Sequence, residues 1–89
     1  MSDRAEKSLV GLSVLVVDDE SLLRRRLAAH LEALGADVTG AETIAATRRL
    51  LEGMEFDFVL LDVHLPDGLG TDLLRERVFS PTTGVVVMT

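Results

Sequence analysis

The chain has 89 residues, 47% of them apolar, and a formal net charge of −6, which supports one small globular domain and excludes disorder. The acidic balance works against nonspecific contact with nucleic acid or an anionic membrane surface, and without cysteine there are neither disulfides nor thiolate metal sites. The polar N-terminus does not read as a signal peptide and no apolar stretch approaches the ~20 residues of a membrane span, so the expected setting is the cytoplasm.

Residues 1–11 read as a polar tail, which holds the only lysine, Lys7. Residues 12–17 (LSVLVV) are a short apolar, β-branched run, the pattern of a strand buried on both faces of a parallel sheet. Asp18, Asp19 and Glu20 end it, and Ser21 is placed to N-cap a helix running to about residue 34. Leu23, Leu27, Leu31 and Leu34 form a one-sided stripe on that helix, with Arg24, Arg25 and Arg26 mostly off it. Gly35 follows at the C′ position.

Residues 36–40 (ADVTG) form a weak strand centred on Val38. A second helix is predicted over 42–53, with Ile44, Leu51 and Met54 toward the core and Thr47 between them. Residues 56–61 (FDFVLL) are a second strong buried strand, ending at Asp62. A short third helix begins near residue 69 or 70 and runs to 77, and residues 84–88 (GVVVM) make the last strand before Thr89.

Strands alternating with helices imply an α/β doubly wound parallel sheet with right-handed crossovers. The strong first and third strands belong in its centre and the weak second at an edge, giving the order 2-1-3-4. In such sheets ligands bind at the C-terminal strand ends beside the switch point, here between strands one and three. Adjacent strands lie about 4.8 Å apart, so Asp18, Asp19 and Asp62 converge. Left alone, three carboxylates repel one another, and a hard divalent cation with oxygen ligands removes the conflict. Mg²⁺ fits, because it takes one or two carboxylates together with waters and phosphate oxygens. Asp62 can then serve as both metal ligand and nucleophile toward a phosphoryl group. In the turn after it, Pro66 fixes φ, Gly68 or Gly70 permits positive φ, and a backbone carbonyl can face the metal. The Thr89 hydroxyl ends the neighbouring strand, within reach of a phosphoryl oxygen on Asp62.

The motifs VLVVDDE (residues 14–20), VLLDVHLPDGLG (59–70) and GVVVMT (84–89), in that order, resemble the receiver domain of two-component response regulators, a flavodoxin-like fold. The resemblance covers residues 12–89. It implies that Asp62 is the phosphoacceptor, taking a phosphoryl group from a sensor histidine kinase. Asp19 would be the direct Mg²⁺ ligand and Asp18 the acidic residue acting through water. The backbone carbonyl of His64 would be a further ligand, and Thr89 the switch hydroxyl. The family usually continues with a fourth helix, a fifth strand ending in lysine and a fifth helix. This sequence stops at Thr89, so residues 12–89 are expected to be an incomplete receiver domain. The fourth-strand edge is then open, and a homo-oligomer covering it is expected.

Two other readings compete with a phosphoacceptor that turns over no separate substrate. One is a phosphorylation-incompetent receiver fragment acting only through protein contacts, which the missing lysine favours. The other is a haloacid-dehalogenase-like phosphohydrolase, disfavoured because His64 stands where that family needs a second aspartate. Arg24 to Arg26 are most simply a solvated helix face, with kinase docking the sharper reading. His30 reads as a solvated or partly packed side chain and the His64 imidazole as an exposed loop group.

Overall fold

A computed structural model describes residues 8–88. Four strands, β1 (Ser13–Val17), β2 (Asp37–Ala41), β3 (Phe58–Asp62) and a last strand, β6 (Gly84–Met88), form an all-parallel sheet in the order β2-β1-β3-β6. The helices are α1 (Ser21–Ala33), α2 (Ile44–Leu51) and α3 (Thr71–Arg75). Between β3 and α3 lies a small antiparallel hairpin of β4 (His64–Leu65) and β5 (Gly68–Leu69). The expected order 2-1-3-4 is therefore the observed one, with β6 as the fourth strand of the sheet.

Strand periodicity divides the core into two layers. Leu15 and Val17 of β1 and Val59 and Leu61 of β3 point to one side, where they pack with Ile44, Phe56, Leu65 and Leu73 beneath α2 and α3. Val14 and Val16 point to the other side, against Leu27, Leu31, Ala36 and Leu60. Because β1 is covered on both faces, four consecutive apolar residues are buried, which is why that run shows no alternation.

The layer beneath α1 is thinner. Helix α1 lies mainly over β1 and β2, and among the described residues no helix packs extensively on β3 and β6 on that side. Accordingly α1 has no fully buried residue, and Leu23, expected in the core stripe, is 40% exposed. Phe58 and Val86, which share that face of the sheet with Leu60, are 42% and 53% exposed.

Element ends shift for local reasons. Glu20, not Ser21, occupies the N-cap of α1, with no side-chain cap bond of its own. Helix α2 starts two residues later than predicted because the Thr43 hydroxyl accepts from the Ala46 N–H at 2.9 Å and fixes the cap there. It ends at Leu51, so Met54 lies past the helix and is exposed rather than core-facing. Strand β3 starts at Phe58 because Asp57 turns its carboxylate onto the Ser13 N–H, 2.8 Å away. Helix α3 stops at Arg75, and Arg77 adopts φ +56° two residues on. Gly35 takes φ +100° at the end of α1, the left-handed conformation expected of a C′ glycine. No helix among the described residues is long and apolar enough to cross a membrane.

Candidate functional site

The site forms where β1 and β3 end side by side. Val17 pairs with Leu61, so Asp18 and Asp62 leave the sheet at the same level. One carboxylate oxygen from each of Asp18, Asp19 and Asp62 lies within 4.8 Å of the others. Oxygen ligands about 2.1 Å from a Mg²⁺ ion sit roughly 3.0–4.2 Å apart. The 4.8 Å ceiling on the three separations is close to that range. The donor set is all hard oxygen, which suits Mg²⁺ or Ca²⁺ and not a thiophilic metal.

Each carboxylate is held differently. Asp18 is 4% exposed. Its N–H donates to the Ala41 carbonyl at 3.0 Å, and its Oδ1 accepts from the Glu20 N–H at 2.9 Å. Asp19 is exposed at the mouth of the pocket. Asp62 is half-buried, and its Oδ1 accepts from the His64 N–H at 3.2 Å. Three acidic groups therefore occupy a rigid floor, an intermediate position and an open mouth.

The chain after Asp62 is drawn back over the strand end by the β4–β5 hairpin. The Gly70 N–H donates to the Val63 carbonyl at 2.7 Å, and the Val63 N–H donates to the Met88 carbonyl at 3.2 Å. Gly68 takes the positive φ of the turn, +145°. Gly70 does not, because its φ is −56°. What it supplies is close approach: a Cβ there would stand 2.0 Å from the Asp62 carbonyl oxygen. Pro66 is exposed in the hairpin turn, and the His64 imidazole is exposed on β4. Met88 pairs in register with Asp62; Thr89, the expected switch hydroxyl, lies outside the described residues, as does Lys7.

Two residues contribute in ways the sequence did not suggest. Asp67, one residue past Pro66, accepts from the Ile44 N–H at 2.9 Å and the Ala45 N–H at 3.0 Å. These two backbone bonds, aided by the Arg48 charge, hold its carboxyl below the ordinary carboxylate range. The hairpin after Asp62 is thereby fastened to the first turn of α2. Arg24, expected on a solvated face, instead turns inward. No hydrophobic period marks either contact: Asp67 reaches helix α2 23 positions earlier, and Arg24 bonds a main-chain carbonyl and a glutamate 18 positions on.

Comparison with known proteins agrees with this arrangement. The family model of the response regulator receiver domain matches residues 14–89, and the chain belongs to that family of two-component signalling modules. It is 36% identical over 76 residues to Protein PetR of Rhodobacter capsulatus, covering 85% of this chain and 32% of PetR. It is also 36% identical over 80 residues to the photosynthetic apparatus regulatory protein RegA of Rhodovulum sulfidophilum, covering 86% of this chain and 43% of RegA. A solved structure of a response regulator protein from Burkholderia pseudomallei, with a phosphorylated aspartic acid, a calcium ion and citrate, superposes with a TM-score of 0.79 at 27% identity. That match covers 85% of this chain and 45% of the other. The chain thus spans about a third of PetR and less than half of RegA.

Proposed function

We propose that this domain accepts a phosphoryl group on Asp62 from a phosphohistidine of a sensor kinase, in the cytoplasm, with Mg²⁺ bound by Asp18, Asp19 and Asp62. The observation that carries this reading is the convergence of the three carboxylates within 4.8 Å at adjacent strand ends. Similarity to a response regulator that holds a phosphorylated aspartic acid and a calcium ion supports it.

In this reading Asp19, Asp62 and the His64 carbonyl would hold the cation, with Asp18 acting on it through water. The bound cation supplies charge neutralisation between the anionic acceptor and the anionic phosphoryl group. A carboxylate oxygen of Asp62 attacks phosphorus in line. The new O–P bond forms as the P–N bond to the donor imidazole breaks, and that imidazole leaves with its electron pair and takes up a proton. The His64 N–H already points at Asp62 Oδ1 and orients the attacking group. The Thr89 hydroxyl is assigned the role of contacting a phosphoryl oxygen of the product.

Incubation with Mg²⁺ and acetyl phosphate, followed by intact-mass measurement, tests the reading. The expected result is a mass gain of one phosphoryl group, labile to base and lost in Asp62→Asn. Absence of any adduct would instead favour the phosphorylation-incompetent alternative. We further propose that this chain self-associates through the open β6 edge, whose outer side pairs with no other strand among the described residues.

A further inference from the structure

Arg24 lies on α1 next to two exposed arginines, Arg25 and Arg26, yet its own side chain is only 16% exposed. Its Nη1 donates to the main-chain carbonyl of Asp18 at 2.7 Å. Its Nη2 donates to Glu42 Oε1 at 3.0 Å. The aliphatic arm lies flat on β2: a Cβ added at Gly40 would meet Arg24 Cδ at 3.1 Å. One guanidinium therefore joins the end of β1, the start of α1 and the chain just after β2.

We propose that Arg24 is a positioning residue for the acidic pocket, holding the Asp18 carbonyl so that Asp19 is presented to the bound cation. This rests on the reading of the pocket as a Mg²⁺ site. The physical link is the peptide plane, because the Asp18 carbonyl and the Asp19 N–H belong to one rigid unit. Fixing the carbonyl fixes the direction in which the Asp19 Cα leaves it. The Asp18 N–H is already held by Ala41 and its Oδ1 by Glu20. Among the described residues, Arg24 supplies the restraint on the far side of the residue, where the exposed Asp19 begins. Glu42 is 64% exposed at its side chain, so the ion pair adds little energy by itself. Its effect is to keep the guanidinium fork aimed.

Charge and geometry predict opposite signs here. A cation beside three carboxylates opposes the binding of a second cation, so an Arg24 acting only through its field would weaken Mg²⁺ binding, and its removal would tighten it. An Arg24 acting through position strengthens binding, and its removal loosens it.

The experiment is a Mg²⁺ titration by calorimetry on the full chain, its Arg24→Ala and Arg24→Lys variants, and Asp19→Asn as the site control. Urea denaturation of each protein, with and without Mg²⁺, accompanies the titration. Arg24→Ala is expected to raise the Mg²⁺ Kd about tenfold, as loss of an outer-sphere partner does. Arg24→Lys keeps the charge and one donor but not the fork, and falls between. The midpoint gain on adding Mg²⁺ shrinks in step with the loss of affinity. Affinity in Arg24→Ala equal to or above the parent's overturns the proposal. Should Arg24→Ala fail to fold, Arg24→Lys decides: weaker binding supports positioning, and parental affinity overturns it. If the parent itself shows no Mg²⁺ binding that Asp19→Asn removes, the metal-site reading falls and takes this proposal with it. Parental binding that Arg24 variants leave unchanged defeats the positioning role alone.

Discussion

The Asp67 carboxylate spans the gap between the hairpin after Asp62 and the Ile44 N–H at the head of α2, accepting at 2.9 Å. A turn residue thus caps a helix that starts 23 positions earlier, and the loop carrying the acidic site shares its anchor with the next layer of the fold. The bond to the Ile44 N–H is the largest cause of the lowered Asp67 pKa, with the Ala45 N–H second. A depressed folded-state pKa gives stability that is fully present above the unfolded value of 3.8 and lost as pH falls through the folded value. Urea midpoints at neutral pH should therefore rank parent above Asp67→Asn above Asp67→Ala. The gap between parent and Asp67→Asn should close as the pH is lowered from 3.8, and a gap that stays constant would rule out the charged cap.

Gly70 presses against the Asp62 carbonyl, where a Cβ would come to 2.0 Å from the oxygen and 3.2 Å from Leu61 Cδ1. The neighbour that must yield is backbone of the acceptor strand, not a flexible side-chain end. Gly70→Ala should cost about 3 kcal/mol or more, the upper end of overpacking penalties. It should also lower phosphorylation of Asp62, because the strand end moves. A variant with parental urea stability would show that the contact is not close in solution.

The acidic pocket predicts a change of sign. Like charges within 4.8 Å repel by about 1 kcal/mol even in a water-like dielectric. Asp19→Asn should therefore raise thermal stability in EDTA, where the repulsion is uncompensated. At saturating Mg²⁺ the order should reverse, because the variant loses a ligand and with it the stabilisation that binding confers. Parallel melting curves in the two conditions provide the check, and the same order in both would count against a shared cation.

Among the described residues the outer side of β6 pairs with no strand, and β6 carries Val86, 53% exposed. The 89-residue chain should sediment as more than a monomer at micromolar concentration. Val86→Lys should shift it to a monomer, since an edge lysine opposes strand-to-strand pairing. A monomeric mass for the parent would defeat the association.

Much of the fold was legible because hydrophobic periodicity reports burial directly. The run VLVV of β1 and VLL of β3 announce central parallel strands, and the carboxylates that end them announce the pocket. Element ends were less legible. Thr43, Asp57 and Arg77 set boundaries through a cap, a cross-strand bond and a left-handed residue, each a local choice that composition does not dictate. Leu23 departs from its pattern for a different reason: its spacing fits a core stripe, but what covers α1 is a matter of where neighbouring elements lie.

The amino-acid order by itself determined the alternation of strands and helices, the central place of β1 and β3, and which three aspartates meet. Those follow from short-range pattern and from the rule that adjacent parallel strands end at one rim of the sheet. Only the tertiary structure decided that Arg24 folds over Gly40 onto the Asp18 carbonyl, that Asp67 caps α2, and that Gly70 is needed for contact and not for its dihedral angle. Asp67 and Ile44 are 23 positions apart, and even the nearer pairs depend on a directional hydrogen bond or a close contact whose final atomic positions no sequence period encodes.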